Sequence, residues 1–333
     1  MELIGKRNES ENEPQVSISN VVLPFDDLED TKFPVLRYLM KPAIRERSIT
    51  QIFAIRESFK TLFAQSIAIS IATGKSNIER WEVLNPRSVL YVDGELAVYD
   101  IVERIRTFNK KLLPNLSIYP NDAILDGPIA SLTNSRWRKE FKDFAVDHKF
   151  KLVIFDNMSS LAPGIDENSK KDWSPINQFF LELKRAGIAV IFIHHAGKTV
   201  GRFSRGHSSL EDSIDCSILI EKTRGVPDGT PDISVTFTKF RALIGPKHRM
   251  PKRFVLKGKT WCSAPIKGDD RLRIIVGYAI EGMSSEHIGK IMKPSVTRQD
   301  IDGFLNRARA RGLIDISGLT EAGSEWLGFR QSE

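Results

Sequence analysis

Four short segments carry side chains suited to phosphate chemistry. The first, Ala54-Ile-Arg-Glu-Ser-Phe-Lys-Thr61, follows the apolar run Ile49–Ile55 and opens an amphipathic stretch, Leu62–Thr73. The phosphate-loop pattern G-x-x-x-x-G-K-[ST] survives in it only as Lys60-Thr61, with Ala54 and Phe59 at the two glycine positions. In such a loop backbone amides and a helix start cradle the anion, the Lys offsets β- and γ-phosphate charge, and the hydroxyl binds Mg²⁺. Lys60 and Thr61 supply the last two functions; Ala54 and Phe59 resist the backbone conformations that glycine allows. Arg56, Glu57, Ser58 and Phe59 complete the segment expected around the phosphates, where Arg56 offsets the negative charge of Glu57.

The second segment is Val89-Leu-Tyr-Val-Asp93-Gly94-Glu95. A strand ending in acids delivers carboxylates to the carboxyl edge of a sheet, where open α/β folds bind ligands. Glu95 there could hold an attacking water as general base; by itself it could equally be an acid capping a helix. The third, Leu152-Val-Ile-Phe-Asp156-Asn157, is an apolar strand ending in an acid that suits Mg²⁺. The fourth, Val190-Ile-Phe-Ile-His194-His195, brings two imidazoles to the same edge, and one of them could sense the γ-phosphate.

These segments need a scaffold of alternating strands and helices, and the hydrophobic pattern supplies one. Strands are expected at Ile49–Ile55, Ser88–Asp93, Leu152–Asp156, Ala189–His194 and Cys216–Ile220, mostly as continuous apolar runs buried on both faces. Helices are expected at Lys60–Thr73, Val98–Lys111, Arg136–His148 and Pro175–Ala186. After residue 220 an antiparallel extension follows, Ile233–Phe240 and Arg253–Leu256, separated by Gly245-Pro246. The fold class is therefore α/β, a mostly parallel sheet with an antiparallel extension.

The domain organisation reads as a polar acidic arm over 1–30, a core over 31–262, a linker over 263–269 and a small α+β block over 270–333. That block suggests a winged helix-turn-helix with Thr297–Arg311 as its recognition helix, Thr297 as N-cap and Asp300 as the acid three residues on. Arg298 and Arg307 could meet phosphates of duplex DNA. Residues 269–333 hold ten acids against nine bases, which leaves protein contacts as an alternative use.

Wording and order together resemble a family. Lys-Thr after a strand, then YVDGE, LVIFDN, IFIHHAGK and RGHSSLEDSID, is similar to the RecA-like P-loop ATPases of the plasmid RepA helicase type, relatives of DnaB-type hexameric helicases. The resemblance spans roughly residues 35–245. It implies ATP and Mg²⁺ as ligands, with Lys60 and Thr61 on phosphate and metal and Asp156 on Mg²⁺. Glu95 would activate water, and His194 or His195 would act as sensor. It also implies a homo-oligomeric, hexamer-type ring with single-stranded DNA through the centre, contacted by Lys198, Arg202 and Arg205 of loop 196–209. Lys239-Phe-Arg241 resembles the finger strand that reaches a neighbouring subunit's ATP. The eroded loop keeps two other readings open: a non-hydrolysing DNA-binding scaffold, and a transcriptional regulator that uses the winged helix.

Composition narrows the classes. Eight Lys or Arg and no acid lie between Thr236 and Thr260, a segment suited to polyanions. Two cysteines without metal-type spacing argue against metal or redox chemistry at thiols. No eighteen-residue apolar run and no signal-type start are visible, so a cytoplasmic protein without membrane contact is expected.

Overall fold

The computed structural model describes residues 22–30, 35–54, 58–166, 169–195, 213–223, 226, 227, 229–241, 252–265, 271, 272, 275, 276, 278, 279, 283–291, 297–315, 318–320 and 322. They fall into two compact units, Met1–Leu36 and Arg37–Glu333. In the first, α1 (Phe25–Asp30) carries Asp26 and Asp27 in its first turn, the charge sign that a helix start favours.

The second unit is built on a nine-stranded sheet. Its parallel strands are β3 (Ile49–Ala54), β4 (Val89–Asp93), β5 (Leu116–Pro120), β6 (Leu152–Asp156), β7 (Ala189–His195) and β8 (Cys216–Lys222). The antiparallel strands β9 (Asp232–Phe240), β10 (Lys252–Lys257) and β11 (Thr260–Ala264) extend it, giving the order β11-β10-β9-β8-β3-β7-β6-β4-β5. A two-stranded ribbon, β1 (Tyr38–Met40) with β2 (Ile44–Arg45), precedes β3. The five expected core strands form within two residues of their expected ends. Strand β5 escapes a hydrophobicity reading because it is short, ends in Pro120 and is only partly buried at the sheet edge.

Alternation within the strands sends side chains to two separate cores. Val89, Tyr91, Leu152, Ile154, Ile191 and Ile193 face the side where α2 (Lys60–Thr73) packs. Leu90, Val92, Val153, Phe155, Val190 and Phe192 face α4 (Ser135–Asp147) and α6 (Lys170–Arg185), whose Trp137, Phe141, Phe179 and Phe180 form an aromatic layer. Both faces are covered, hence the continuous apolar runs.

Helix α2 differs from the amphipathic expectation: eleven of its fourteen residues are buried. The cause is a second cover, because Phe63 meets Trp81 and β11's Trp261 edge-on, each at 5.7 Å between ring centroids. Its Ser66 and Ser70 satisfy their hydroxyls on backbone carbonyls within the helix, at 2.6 Å each. Helix α6 starts earlier than its Pro175 suggests, with Ser169 accepting from the Asp172 amide as N-cap. Helix α3 (Val98–Phe108) follows β4, and the four-residue α5 (Met158–Leu161) follows β6.

Near the C-terminus, α7 (Ser285–Ile291) and α8 (Arg298–Ala310) precede a short antiparallel pair, β12 (Ile314–Asp315) and β13 (Gly318–Leu319). Thr297 and Asp300 form the reciprocal capping box expected from their spacing. Ile275, Ile288, Ile301 and Ala308 belong to a third, small apolar core. No helix among the described residues is long and apolar enough to cross a membrane.

Candidate active site

Because β3, β4, β6 and β7 run parallel, their carboxyl ends share one edge, and a cleft of about 1090 Å³ opens there. Ser58, Phe59, Lys60, Thr61, Glu95, Asp156 and His195 all line it. Arg56 and Glu57 lie outside the described residues.

Helix α2 begins at Lys60, and its N-cap residue, Phe59, makes no side-chain cap hydrogen bond. The backbone N–H groups of an uncapped first turn are suited to an anion. Phe59, the residue before Lys60, sits at φ 60°, ψ 19°, the left-handed region that costs a non-glycine residue about 1–2 kcal/mol. The loop thus keeps the backbone turn of a glycine with a phenylalanine in it. The ring is half-buried and packs on the main core. Ala54, at the other glycine position, is fully buried inside β3, paired with His195 and Ile220 on its flanks. Ala54 is part of the main apolar core.

Phe59→Gly is expected to tighten ATP binding several-fold, since backbone can then approach the phosphates. Its stability should change by under about 1 kcal/mol, because release of the left-handed strain offsets lost burial of the ring. Phe59→Ala keeps the strain and loses the ring, so it should melt lower than either. Titration of a fluorescent ATP analogue and thermal denaturation read both effects; unchanged affinity in Phe59→Gly would show the loop geometry to be irrelevant.

Thr61 and Asp156 meet across the cleft floor, the threonine hydroxyl donating to Asp156 Oδ1 at 3.3 Å. Asp156 is on the α2 face of β6, in step with Leu152 and Ile154, so strand parity brings it under the helix. Its pKa is raised to about 7, chiefly by burial and also by the Asp93 carboxylate, while the Tyr91 and Thr61 hydrogen bonds and Lys60 oppose the shift. Hydroxyl and carboxylate oxygens suit Mg²⁺, which commonly uses one or two carboxylates plus waters and substrate phosphates. Among the described residues no group of three or more His, Cys, Asp or Glu could hold a metal alone. The donor set therefore fits a cation shared with a nucleotide.

Glu95 follows β4 through a tight turn in which the Asp93 Oδ1 accepts the Glu95 and Leu96 amides at 2.9 and 2.7 Å. Gly94 permits this turn, because a Cβ there would stand 2.8 Å from Leu161 Cδ2 of α5. The Asn157 amide donates to Glu95 Oε2, while its own oxygen caps α5 by accepting the Ser160 amide at 3.2 Å. A side chain anchored at a helix start thus holds the base candidate at the cleft rim.

The two histidines part company by strand parity. His195 lines the cleft, whereas His194 is 1% exposed on the opposite face, its ring edge-on to Trp173 at 5.8 Å. Lys239 and Arg241 are not in this cleft. Lys239 pairs with Ser217 near the start of β8. The Arg241 amide donates to the Asp215 carbonyl at 2.8 Å, and its guanidinium lies 3.9 Å from the Asp215 carboxylate. Asp215 also accepts the Ile49 amide at 2.8 Å and Lys184 at 2.7 Å, so it marks the amino-terminal edge of β3. Five strand residues, about 17 Å at ~3.3 Å each, separate that edge from the cleft.

Arg298 and Arg307 lie on the exposed side of α8, Arg298 near Asp302 at 3.7 Å and Arg307 over the Phe304 ring at 4.3 Å. Lys198, Arg202 and Arg205 lie outside the described residues. Within the basic segment, Arg253 is spent internally: its guanidinium grips buried Asp232 through bonds of 2.9 and 2.6 Å. Sequence reading passed over Tyr91, Asp93 and Asn157 as partners, and Arg104 and Lys222 as cleft residues. Asp93 and Asn157 stood inside quoted motifs, and parity could have grouped Tyr91 with Asp93; nothing in the chain marks Arg104 or Lys222.

A family model described as an AAA domain matches residues 12–201, more than half of the chain. No curated protein matches it. Among solved structures, a KaiC-like protein from the hyperthermophilic archaeon Pyrococcus horikoshii OT3 is similar over 68% of this chain and 94% of its own, at 14% identity and a TM-score of 0.49. That likeness is too slight to add weight. The family match contains Lys60, Thr61, Glu95, Asp156 and His195, the residues the cleft brings together. The chain belongs to the AAA domain family.

Proposed function

We propose that the protein is a DNA-associated ATPase that assembles as a ring and hydrolyses ATP at subunit boundaries, in a helicase-like role serving plasmid, phage or mobile-element replication. The observation that carries the hydrolysis reading is the Asn157–Glu95 contact beside Lys60, Thr61 and Asp156. A site that only binds nucleotide needs no carboxylate held at its rim.

In this reading Lys60 and the start of α2 hold the phosphates, and His195 senses the γ-phosphate. Thr61 and Asp156 hold Mg²⁺, which supplies positive charge against that building on the phosphate oxygens. Glu95 accepts a proton from a water whose oxygen bonds to the γ-phosphorus, and the bond from that phosphorus to the bridging oxygen breaks, releasing ADP and phosphate. Lys239 and Arg241, on the far edge of their own sheet, would complete the neighbour's site. Loop 196–209 and the C-terminal block, read as a winged helix, would meet DNA. Support for DNA comes from the exposed Arg298 and Arg307 and from the Lys- and Arg-rich segment 236–260.

ATP hydrolysis measured with and without single-stranded DNA, for the native protein and Lys60→Ala, tests this. The native protein should hydrolyse ATP faster with DNA, and Lys60→Ala should fall to background. Equal background rates in both would instead favour a non-hydrolysing scaffold or regulator.

A further inference from the structure

Behind the cleft floor, β4 and β6 place three oxygen-bearing side chains on the same face. Asp93 and Asp156 are register partners on adjacent strands, and Tyr91 stands opposite Ile154, one step back on the α2 face. All three are buried, at 1%, 3% and 1% exposure respectively. The Tyr91 hydroxyl donates to Asp156 Oδ2 at 2.5 Å, the length of a strong bond to a charged acceptor. Thr61 donates to the other oxygen, Oδ1.

We propose that Tyr91 is a positioning residue for the cation site, holding the Asp156 carboxylate in one orientation so that Oδ1 faces Thr61 and the metal. The inference rests on the nucleotide and Mg²⁺ reading given above. Two points of chemistry support it. A core position facing α2 among Val89, Ile154 and Ile191 asks only for apolar bulk. A hydroxyl buried there adds a desolvation cost unless it has a partner. Among the described residues its hydrogen-bond partner is the carboxylate expected to meet the metal.

The second point is the neighbour. Asp93 uses Oδ1 for the Glu95 and Leu96 amides, and its Oδ2 has no hydrogen-bond partner among the described residues. Like charges directly opposite on adjacent strands repel, so Asp156 would swing from Asp93 if nothing fixed it. Tyr91 supplies that fixing on the side away from Thr61. Its effect should therefore appear in metal use and not in the grip on the phosphates.

Tyr91→Phe removes the hydroxyl alone and keeps the ring that packs the core. A fluorescent ATP analogue is titrated into native protein, Tyr91→Phe and Asp156→Asn, first in EDTA and then across Mg²⁺ concentrations, and Mn²⁺ binding to each nucleotide complex is followed by electron paramagnetic resonance. In EDTA, Tyr91→Phe should bind the analogue as the native protein does. The Mg²⁺ or Mn²⁺ needed for half-maximal effect should rise by about 10–100-fold, the usual cost of losing a partner that orients a metal ligand. An unchanged metal titration would overturn the proposal, and so would an equal loss with and without metal, which marks a purely structural residue. If native protein binds the analogue indifferently to Mg²⁺ and holds no Mn²⁺, the site reading itself fails and takes the Tyr91 role with it. That outcome is distinguishable because the native protein, not the variant, shows it.

Discussion

Glu95→Gln is expected to lower ATP turnover by about 10²–10⁴-fold, the range for loss of a positioned general base, while ATP still binds. Glutamine keeps the size and one oxygen of glutamate but cannot take a proton from water. The backbone should be undisturbed, since the turn is held by Asp93 accepting the Glu95 and Leu96 amides and not by the Glu95 carboxylate. The Asn157 amide can still donate to the side-chain oxygen of glutamine. Single-turnover hydrolysis together with analogue binding separates the two effects. A variant that turns over at the native rate would remove Glu95 as base and leave the Asn157 contact as a mere cap of the turn.

Arg241→Ala is expected to cost about 10³–10⁵-fold in turnover, the range for a finger that stabilises charge on the transferring phosphoryl group, without weakening ATP binding to isolated subunits. Arg241 stands at the amino-terminal edge of β3 beside Asp215, and the cleft is at the carboxyl edge of the same strand. A finger role for it would therefore require a second copy. Mixing Arg241→Ala with Glu95→Gln subunits makes this testable, because some boundaries then join an intact Glu95 to an intact Arg241. Partial recovery of hydrolysis, with a mass above the monomer in ATP and DNA, is expected. Full activity of Arg241→Ala alone, or a strict monomer in all conditions, would remove both the finger and the ring.

The sequence carried more about the sheet than about the site. Short apolar runs ending in an acid or a histidine were enough to place β4, β6 and β7, and the mostly apolar run Ile49–Ile55 ahead of Lys60-Thr61 placed β3. Strands covered on both faces are mostly apolar, with few polar residues inside them such as Thr50 and Gln51 of β3. Helix α2 was legible at its bounds, Lys60 and Thr73, yet its environment was not. Nothing local announces that Trp261, nearly two hundred residues on, will close over Phe63. The pair His194-His195 shows the same limit on a smaller scale. Alternation says that one histidine faces each side, but not which side holds α2.

That Lys60, Thr61, Glu95 and Asp156 would meet at one edge was thus legible from residue type and order, because a parallel sheet sends every strand end to one edge whatever the loops do. Partnership was decided in three dimensions. Tyr91 reaches Asp156, Asn157 reaches Glu95, and Arg241 turns to Asp215 through contacts between strands, or across β-turn and helix start, that no spacing encodes. Phe59 is the clearest case. By sequence it is a missing glycine; in the fold it is a phenylalanine in the left-handed turn a glycine would take, its ring held by the core. Packing of the half-buried ring opposes a left-handed strain of about 1–2 kcal/mol at Phe59, a balance that exists only once the chain has folded.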